Sequence, residues 1–129
     1  MKKKYLIVAS DYYKKITQNL INGSLKKLQI NKKNASIITV PGTYEIPVII
    51  SKNIKKFDGF IALGCVIKGE TPHFDFISSA STQAIMNLSV ESRKPIGNGI
   101  ITCLNMKQAK ARGKKGKEAA RAIISVLSQ

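Results

Sequence analysis

Residues 64–75, Gly-Cys-Val-Ile-Lys-Gly-Glu-Thr-Pro-His-Phe-Asp, bring several reactive side chains together in a short segment. The segment contains the only histidine of the chain, His73, together with the carboxylates of Glu70 and Asp75. A neutral imidazole can accept and release protons near pH 7, so this histidine is a candidate for general acid–base catalysis. A single histidine is nevertheless more often an ordinary surface residue, and the residue type alone does not decide between the two.

The residues around His73 predict the start of a helix. Thr71 has the hydroxyl group that suits an N-cap, and Pro72 would then occupy the first helical position. Asp75 would lie in the first turn, near the positive end of the helix dipole. We therefore expect His73 to lie beside free backbone N–H groups, which can bind an anion.

Hydrophobic periodicity predicts four strands, each followed by helical sequence. Continuous apolar runs, typical of parallel sheets, indicate strands over residues 4–9, 35–40, 59–65 and 96–103. Helical spacing indicates helices over residues 15–28, 43–55, 74–92, 106–112 and 117–127. The third helix is expected to carry Ile77, Ala80, Ala84, Ile85 and Leu88 on one face. This order predicts one domain over residues 1–129 with an α/β fold: a flavodoxin-like, three-layer α/β/α sandwich with a four-stranded parallel sheet.

The carboxyl ends of parallel strands meet at one edge of a sheet, where α/β proteins bind ligands. Distinctive residues follow the predicted strands at Tyr12, residues 42–45, residues 68–73 and residues 98–102. We therefore expect these four segments to form one pocket. Periodicity indicates neither its substrate nor its reaction.

The chain has 22 basic and 7 acidic residues, and a formal net charge of +15. A nucleic-acid-binding surface would explain this excess, but so would a lysine-rich surface that keeps the protein in solution. The lysines are distributed along the sequence, with groups at residues 2–4, 26–27, 32–33, 55–56 and 114–115. This distribution favours the second interpretation, and the positive field would also attract an anionic small-molecule substrate.

The two cysteines, Cys65 and Cys103, lack the spacing of metal ligands. With one histidine in the chain, they predict buried free thiols and no metal site. The apolar runs are far too short to span a bilayer. The basic start resembles the n-region of a signal peptide, but the apolar run behind it ends at Ala9 and Asp11 follows. We therefore expect a cytoplasmic protein without membrane contact.

Two long motifs resemble those of the lumazine synthase family. Residues 40–47, Val-Pro-Gly-Thr-Tyr-Glu-Ile-Pro, are similar to its Val-Pro-Gly-x-aromatic-Glu-Ile-Pro motif. Residues 62–75 are similar to its motif Ala-Leu-Gly-x-Val-Ile-basic-Gly-x-Thr-x-His-aromatic-Asp. Residues 98–102, Asn-Gly-Ile-Ile-Thr, and the later Gln108-Ala-x-x-Arg112 also fit, so the resemblance covers nearly the whole chain.

This resemblance implies an enzyme, a transferase of riboflavin biosynthesis that forms 6,7-dimethyl-8-ribityllumazine. The family condenses 5-amino-6-(D-ribitylamino)uracil with 3,4-dihydroxy-2-butanone 4-phosphate, and it releases phosphate and water. It uses neither a metal nor an organic cofactor, so the resemblance implies none for this chain.

The resemblance also implies a role for each site residue. His73 would be the catalytic proton shuttle. The ribitylaminouracil would contact Tyr12, Thr43, Tyr44, Glu45, Cys65, Val66, Ile67 and Asn98. The butanone phosphate would contact Glu70, Thr71 and Arg112.

The family forms rings of five subunits with active sites between neighbours, and some members pack twelve rings into a hollow shell. The resemblance therefore implies a homopentamer and leaves a 60-subunit shell open. Asn98 and Arg112 would enter the pocket of the adjacent subunit. Riboflavin synthase is a further partner that the resemblance suggests, whereas nucleic acid is not expected as one.

Three features depart from the family pattern. Asn98 stands where many members have phenylalanine, Lys68 replaces the commoner arginine, and the segment after Arg112 is several residues shorter than usual. Two other functions therefore stay open from the sequence: a relative that binds lumazine or flavin without synthase activity, and a basic α/β module that binds nucleic acid.

Overall fold

The computed structural model describes residues 2–129. Its four-stranded sheet is parallel throughout and has the order β2-β1-β3-β4. The strands are β1 (Tyr5–Ser10), β2 (Ala35–Val40), β3 (Gly59–Ile67) and β4 (Ile96–Cys103). The helices are α1 (Lys14–Ile30), α2 (Ile46–Lys52), α3 (His73–Ser92), α4 (Met106–Ala111) and α5 (Lys115–Leu127). A short 3-10 turn, Thr43–Glu45, precedes α2.

Helices cover both faces of the sheet. On one face, Ile7 of β1 packs in a buried cluster with Leu20 of α1 and Ile123 of α5. The next residue, Val8, belongs to a second buried cluster that includes Ile85 of α3. Because successive side chains of a strand point to opposite faces, the two clusters are the two cores of a sandwich. The predicted three-layer α/β/α fold is confirmed.

The position of each strand in the sheet explains its sequence pattern. All residues of β1 are buried, and so are all residues of β3 except the last, because both strands have neighbours on either side and helices above and below. The edge strand β2 is more exposed, with Ile37 open to solvent. The continuous apolar runs therefore mark the centre of the sheet.

Some element boundaries differ from the prediction. Strand β3 continues to Ile67, which pairs with Cys103 of β4, so its carboxyl end reaches two residues further than expected. The helix predicted over residues 43–55 is instead the 3-10 turn followed by the short α2. In α3, Ile85 is buried as predicted, whereas Ala80 is exposed.

The last helix, predicted over residues 117–127, begins two residues earlier than expected, because α5 starts at Lys115 and contains Gly116. Gly116 lies directly against the backbone of Leu20 in α1, where any Cβ atom would collide. The hydroxyl of Ser24, also in α1, donates to the Gly116 carbonyl oxygen at 2.7 Å. The glycine permits a close helix–helix contact and does not interrupt the helix.

We expect Gly116→Ala to lower the free energy of unfolding by about 2 kcal/mol, because the added methyl group forces α1 and α5 apart. Gly113→Ala is the matched control, since a Cβ atom there would meet nothing within 4 Å. Urea unfolding of both variants at one protein concentration measures the difference. Equal stability of the two variants would show that the helices can separate at little cost.

Candidate active site

A cavity of about 1240 Å³ opens at the carboxyl edge of the sheet. It is lined by residues 65–67 at the end of β3, by the turn after β1, by residues 41–45 and by the beginning of α3. Three of the four segments expected in the pocket therefore meet there. Residues 98–102 do not line it, because they belong to β4, the edge strand on the far side of β3.

Hydrogen bonds anchor the turn that follows β1. The backbone N–H of Asp11 donates to the carbonyl oxygen of Val40 at 3.0 Å, which joins this turn to the end of β2. The hydroxyl of Thr17 in α1 donates to the carbonyl oxygen of Ser10 at 2.6 Å. These bonds hold Tyr12 at the carboxyl edge of the central strands.

Two tyrosines offer exposed aromatic surface at the cavity. Tyr12 is 73% exposed and Tyr44 is 64% exposed. The Tyr12 ring packs edge-on against Tyr13, with ring centroids 4.9 Å apart and an interplanar angle of 76°. Aromatic faces of this kind stack on planar rings, so the cavity suits a heterocyclic ligand.

Gly64 leaves room for two hydroxyl groups near the cavity. A Cβ atom at Gly64 would lie 2.8 Å from Ser10 Oγ and 3.1 Å from Thr43 Oγ1. Thr43 is buried and lines the cavity, and Ser10 Oγ is buried without a hydrogen-bond partner among residues 2–129. The sequence analysis did not identify Ser10 as a site residue. The only feature that could have indicated it is a hydroxyl group at the end of an apolar strand.

His73 lines the cavity as the first residue of α3, and it is exposed. The predicted capping is wrong, since Pro72 occupies the N-cap and not the first helical position. The backbone N–H groups of Asp75 and Phe76 donate to the Pro72 carbonyl oxygen, which makes that residue the helix boundary. Thr71 lies one position further out, and its hydroxyl oxygen accepts from the His73 N–H at 3.4 Å.

Cys65 contributes a protonated thiol to the site. Burial, together with the charge interaction and hydrogen bond of the neighbouring Cys103, raises its pKa to about 12. A thiol with such a pKa is not a nucleophile at neutral pH. Cys65 therefore acts as a packed, neutral wall of the cavity, and both cysteines are buried and free, as predicted.

Three of the predicted site residues do not line the cavity of their own chain: Glu70, Asn98 and Arg112. Glu70 is exposed in the turn before α3. The side-chain oxygen of Asn98 accepts from the backbone N–H of Ile100 at 3.0 Å. The Arg112 side chain donates from Nη1 to the carbonyl oxygen of Thr102 at 2.8 Å. All the other predicted residues come together around the cavity.

The cavity also contains residues that the sequence did not single out. Phe74, Phe76 and Gln83 of α3 line it, together with Tyr13. Phe76 is 67% exposed, so most of this large apolar side chain is open to solvent. The sequence feature that could have indicated them is the pair of phenylalanines, Phe74 and Phe76, in the first turn after His73.

The residues that the structure describes contain no group of three or more histidine, cysteine or acidic side chains that could hold a metal ion. None of the helices within residues 2–129 is long and apolar enough to cross a membrane.

The geometry combines three chemical capacities at one edge of the sheet. Tyr12 and Tyr44 can hold a planar ring, and Glu45 can accept hydrogen bonds from hydroxyl groups. The amino end of α3 can bind an anion, and His73 at this end can transfer protons.

Residues 2–129 match the family model of 6,7-dimethyl-8-ribityllumazine synthase. The chain belongs to this family. A 6,7-dimethyl-8-ribityllumazine synthase of Bartonella tribocorum is 42% identical over 131 residues, which cover 95% of this chain and 87% of that protein. The enzyme of the same description from Buchnera aphidicola subsp. Baizongia pistaciae is 44% identical over 139 residues, covering 98% of this chain and 87% of the relative.

Membership of the lumazine synthase family confirms the resemblance carried by the two motifs. Both motifs contribute to the one cavity: residues 41–45 from the first, and residues 65–67 with His73 from the second. The segments that resemble the family most closely are therefore the segments that the fold gathers at the carboxyl edge of the sheet.

Proposed function

We propose that this protein condenses 5-amino-6-(D-ribitylamino)uracil with 3,4-dihydroxy-2-butanone 4-phosphate to form 6,7-dimethyl-8-ribityllumazine. The observation that supports this most directly is the cavity, which joins a histidine at a helix amino terminus to exposed aromatic rings and a carboxylate. The reaction joins an amine to a ketone with loss of water, eliminates phosphate, and closes a ring with loss of a further water. Each of these steps moves protons, and a neutral imidazole can both take and give them.

The ribitylaminouracil would occupy the part of the cavity near β1 and β3. Its planar ring would stack on Tyr12, and the main chain of residues 65–67 would hold the ring edge. Thr43 and Tyr44 would complete its surroundings, and Glu45 would accept hydrogen bonds from the ribityl hydroxyls.

The butanone phosphate would lie at the amino end of α3. Thr71 lines the cavity there, and Glu70 is in the same turn. A phosphate in this position gains from the helix dipole and from free N–H groups. Holding the two substrates side by side, with His73 next to the bond that breaks, is itself a large part of catalysis in such a reaction.

The activity is tested by mixing pure protein with both substrates and following the fluorescence of the lumazine product. The reaction also proceeds slowly without enzyme. The expected result is therefore product formation well above this uncatalysed rate. Binding of the lumazine without acceleration would instead support the non-catalytic alternative. Omitting the butanone phosphate gives the matched blank.

We also propose that the chain assembles as a homopentamer in which each active site is shared by two subunits. Helix α3 supports this, because only Ser81 and Ile85 of its 20 residues are buried. Its outer face carries Phe76, Met86 and Val90, all more than half exposed. A neighbouring subunit on this face would remove that apolar surface from water.

The positions of Asn98 and Arg112 support the shared site as well. Both lie outside the cavity of their own chain, which fits a role in the site of a neighbouring subunit. Arg112 would supply the planar guanidinium that suits a phosphate group.

The proposal also includes a cytoplasmic location and an association with riboflavin synthase, which would use the product.

Light scattering of the purified protein is expected to give about five times the mass of the 14.1 kDa chain. A fully active monomer would contradict the shared site, because Asn98 and Arg112 would then have no pocket to enter. A much larger particle would show that pentamers pack into a shell. Repulsion between chains of charge +15 opposes such packing, and salt weakens this repulsion by screening the charges.

A further inference from the structure

A second cavity, of about 820 Å³, lies at the amino edge of the sheet. It is formed by the residues just before β1, by the turn between α1 and β2, and by the segment before β3. In a parallel sheet these strand starts are at the opposite edge from the strand ends. The six residues of β1 therefore separate the two cavities by roughly 20 Å.

Seven lysines line this second cavity: Lys2, Lys3, Lys4, Lys32, Lys33, Lys55 and Lys56. They come from three separate stretches of the sequence, so their distribution along the chain hid their proximity in space. The part of the chain that the structure describes contributes no acidic residue to the lining of this cavity. This group of side chains is called the lysine cavity below.

Among residues 2–129, none of these seven lysines forms an ion pair with an acidic side chain. Among residues 2–129 the only ion pair closer than 4.0 Å joins Lys115 and Glu118, which lie in α5. Asp58 follows Phe57, which lines the cavity, and one of its carboxylate oxygens accepts a hydrogen bond from the backbone N–H of Lys4 at 2.8 Å, so one carboxylate lies beside the cavity. Seven ammonium groups beside this single carboxylate leave a local excess of positive charge, so a bound anion would relieve their mutual repulsion.

Tyr5 adds an unused polar group to the same cavity. It lines the cavity, is only 3% exposed, and its hydroxyl oxygen has no hydrogen-bond partner in the described residues. Buried hydroxyl groups are normally hydrogen-bonded, so this hydroxyl is a polar group beside the cavity whose hydrogen-bonding capacity the described residues leave unused. Lys33 Nζ lies 5.7 Å from the centroid of the Tyr5 ring, which places this ammonium group beside it.

The backbone at Lys32 shows that a lysine is tolerated where glycine would fit with less strain. Helix α1 ends at Ile30, and Lys32, two residues later, is in the left-handed region at φ 58°. Its N–H donates to the carbonyl oxygen of Gln29, and the N–H of Lys33 donates to that of Leu28. This pattern usually has glycine at the left-handed position. The turn directs two consecutive lysines to the cavity.

We propose that the lysine cavity binds a compact anion with several phosphate groups, such as an oligophosphate or a nucleoside triphosphate. Its volume lies within the range of roughly 300–1,000 Å³ that is usual for small-molecule sites. Lysine binds phosphate as a point charge with rotatable donors, so several phosphates can be held without a fixed geometry. A concave site of limited size suits a compact ligand better than an extended nucleic acid, which calls for a continuous basic surface.

The test is calorimetric titration of the assembled protein with inorganic tripolyphosphate at about 0.1 M salt, where exposed charges interact over about 10 Å. The first variant replaces Lys33, Lys55 and Lys56 with glutamine, and we expect it to bind tripolyphosphate roughly tenfold more weakly than the wild type. The second is Lys32→Gly, which removes a charge and relaxes the backbone, so weaker binding by this variant cannot come from misfolding. A titration with ATP distinguishes the two sources of the ligand: tighter binding of ATP than of tripolyphosphate indicates a nucleotide.

Two controls separate this site from the active site and from general charge effects. Lys26→Gln combined with Lys117→Gln removes exposed charges outside the lysine cavity, and this variant should bind tripolyphosphate as the wild type does. Arg112→Ala should also keep this binding, and the lysine variants should keep wild-type lumazine formation. An equal loss of binding in the Lys26 and Lys117 control would overturn the proposal. So would tighter binding of a single-stranded oligonucleotide through the same lysines, since the surface would then be one for nucleic acid.

Discussion

His73→Ala is expected to lower the turnover number about 100-fold, the lower end of a typical general acid–base contribution. The histidine is exposed at the first position of α3, so its replacement removes no core packing. Alanine also favours a helix, so the start of α3 should persist. The rate of lumazine formation at saturating concentrations of both substrates measures the effect, and circular dichroism reports whether the fold is retained.

His73→Asn is the matched variant for this prediction. Asparagine keeps a polar side chain at the helix start but cannot exchange a proton near pH 7. We expect its turnover to be as low as that of His73→Ala. Wild-type turnover in either variant would exclude His73 as the proton shuttle. Substantial turnover in the asparagine variant alone would assign the histidine a positioning role.

Arg112→Ala is expected to raise the KM for the butanone phosphate about 100-fold, while the KM for the ribitylaminouracil changes little. The loss corresponds to two charge-assisted hydrogen bonds to phosphate, each worth about 1.5 kcal/mol. The present contact of Arg112 with the Thr102 carbonyl oxygen is on an exposed part of the chain, so breaking it should cost little stability. Steady-state kinetics with each substrate varied in turn separates the two effects.

Arg112→Lys should recover only part of the affinity, because lysine keeps the charge but lacks the planar fork of donors. An equal loss for both substrates would show that Arg112 supports the fold and does not bind the phosphate.

Co-assembly of the Arg112→Ala and His73→Ala variants supplies a further test of the shared site. Mixed rings contain some sites with both residues intact, so about a quarter of the wild-type activity should return with random mixing. No recovery in mixed rings would place Arg112 and His73 in the same subunit's site.

Local sequence alone predicted much of this fold, because the physics that sets each element is itself local. The runs that became β1 and β3 are continuously apolar, since they are buried on both faces, and α1 has its apolar residues at helical spacing. The motif resemblance indicated most residues of the cavity. Residues 41–45 and 65–67 follow or end strands, and parallel strands bring their carboxyl ends to one edge.

Packing between distant segments decided the features that the sequence did not predict. Gly116 reads as a helix breaker, yet it lies within α5 because the backbone of Leu20, far away in the sequence, occupies the space of its side chain. The sheet order placed β4 at an edge, which kept Asn98 away from the cavity of its own chain. The lysine pairs 32–33 and 55–56 look like separate surface charges in the sequence. Only the parallel sheet, which gathers the beginnings of its strands at one edge, brings them together into one basic cavity.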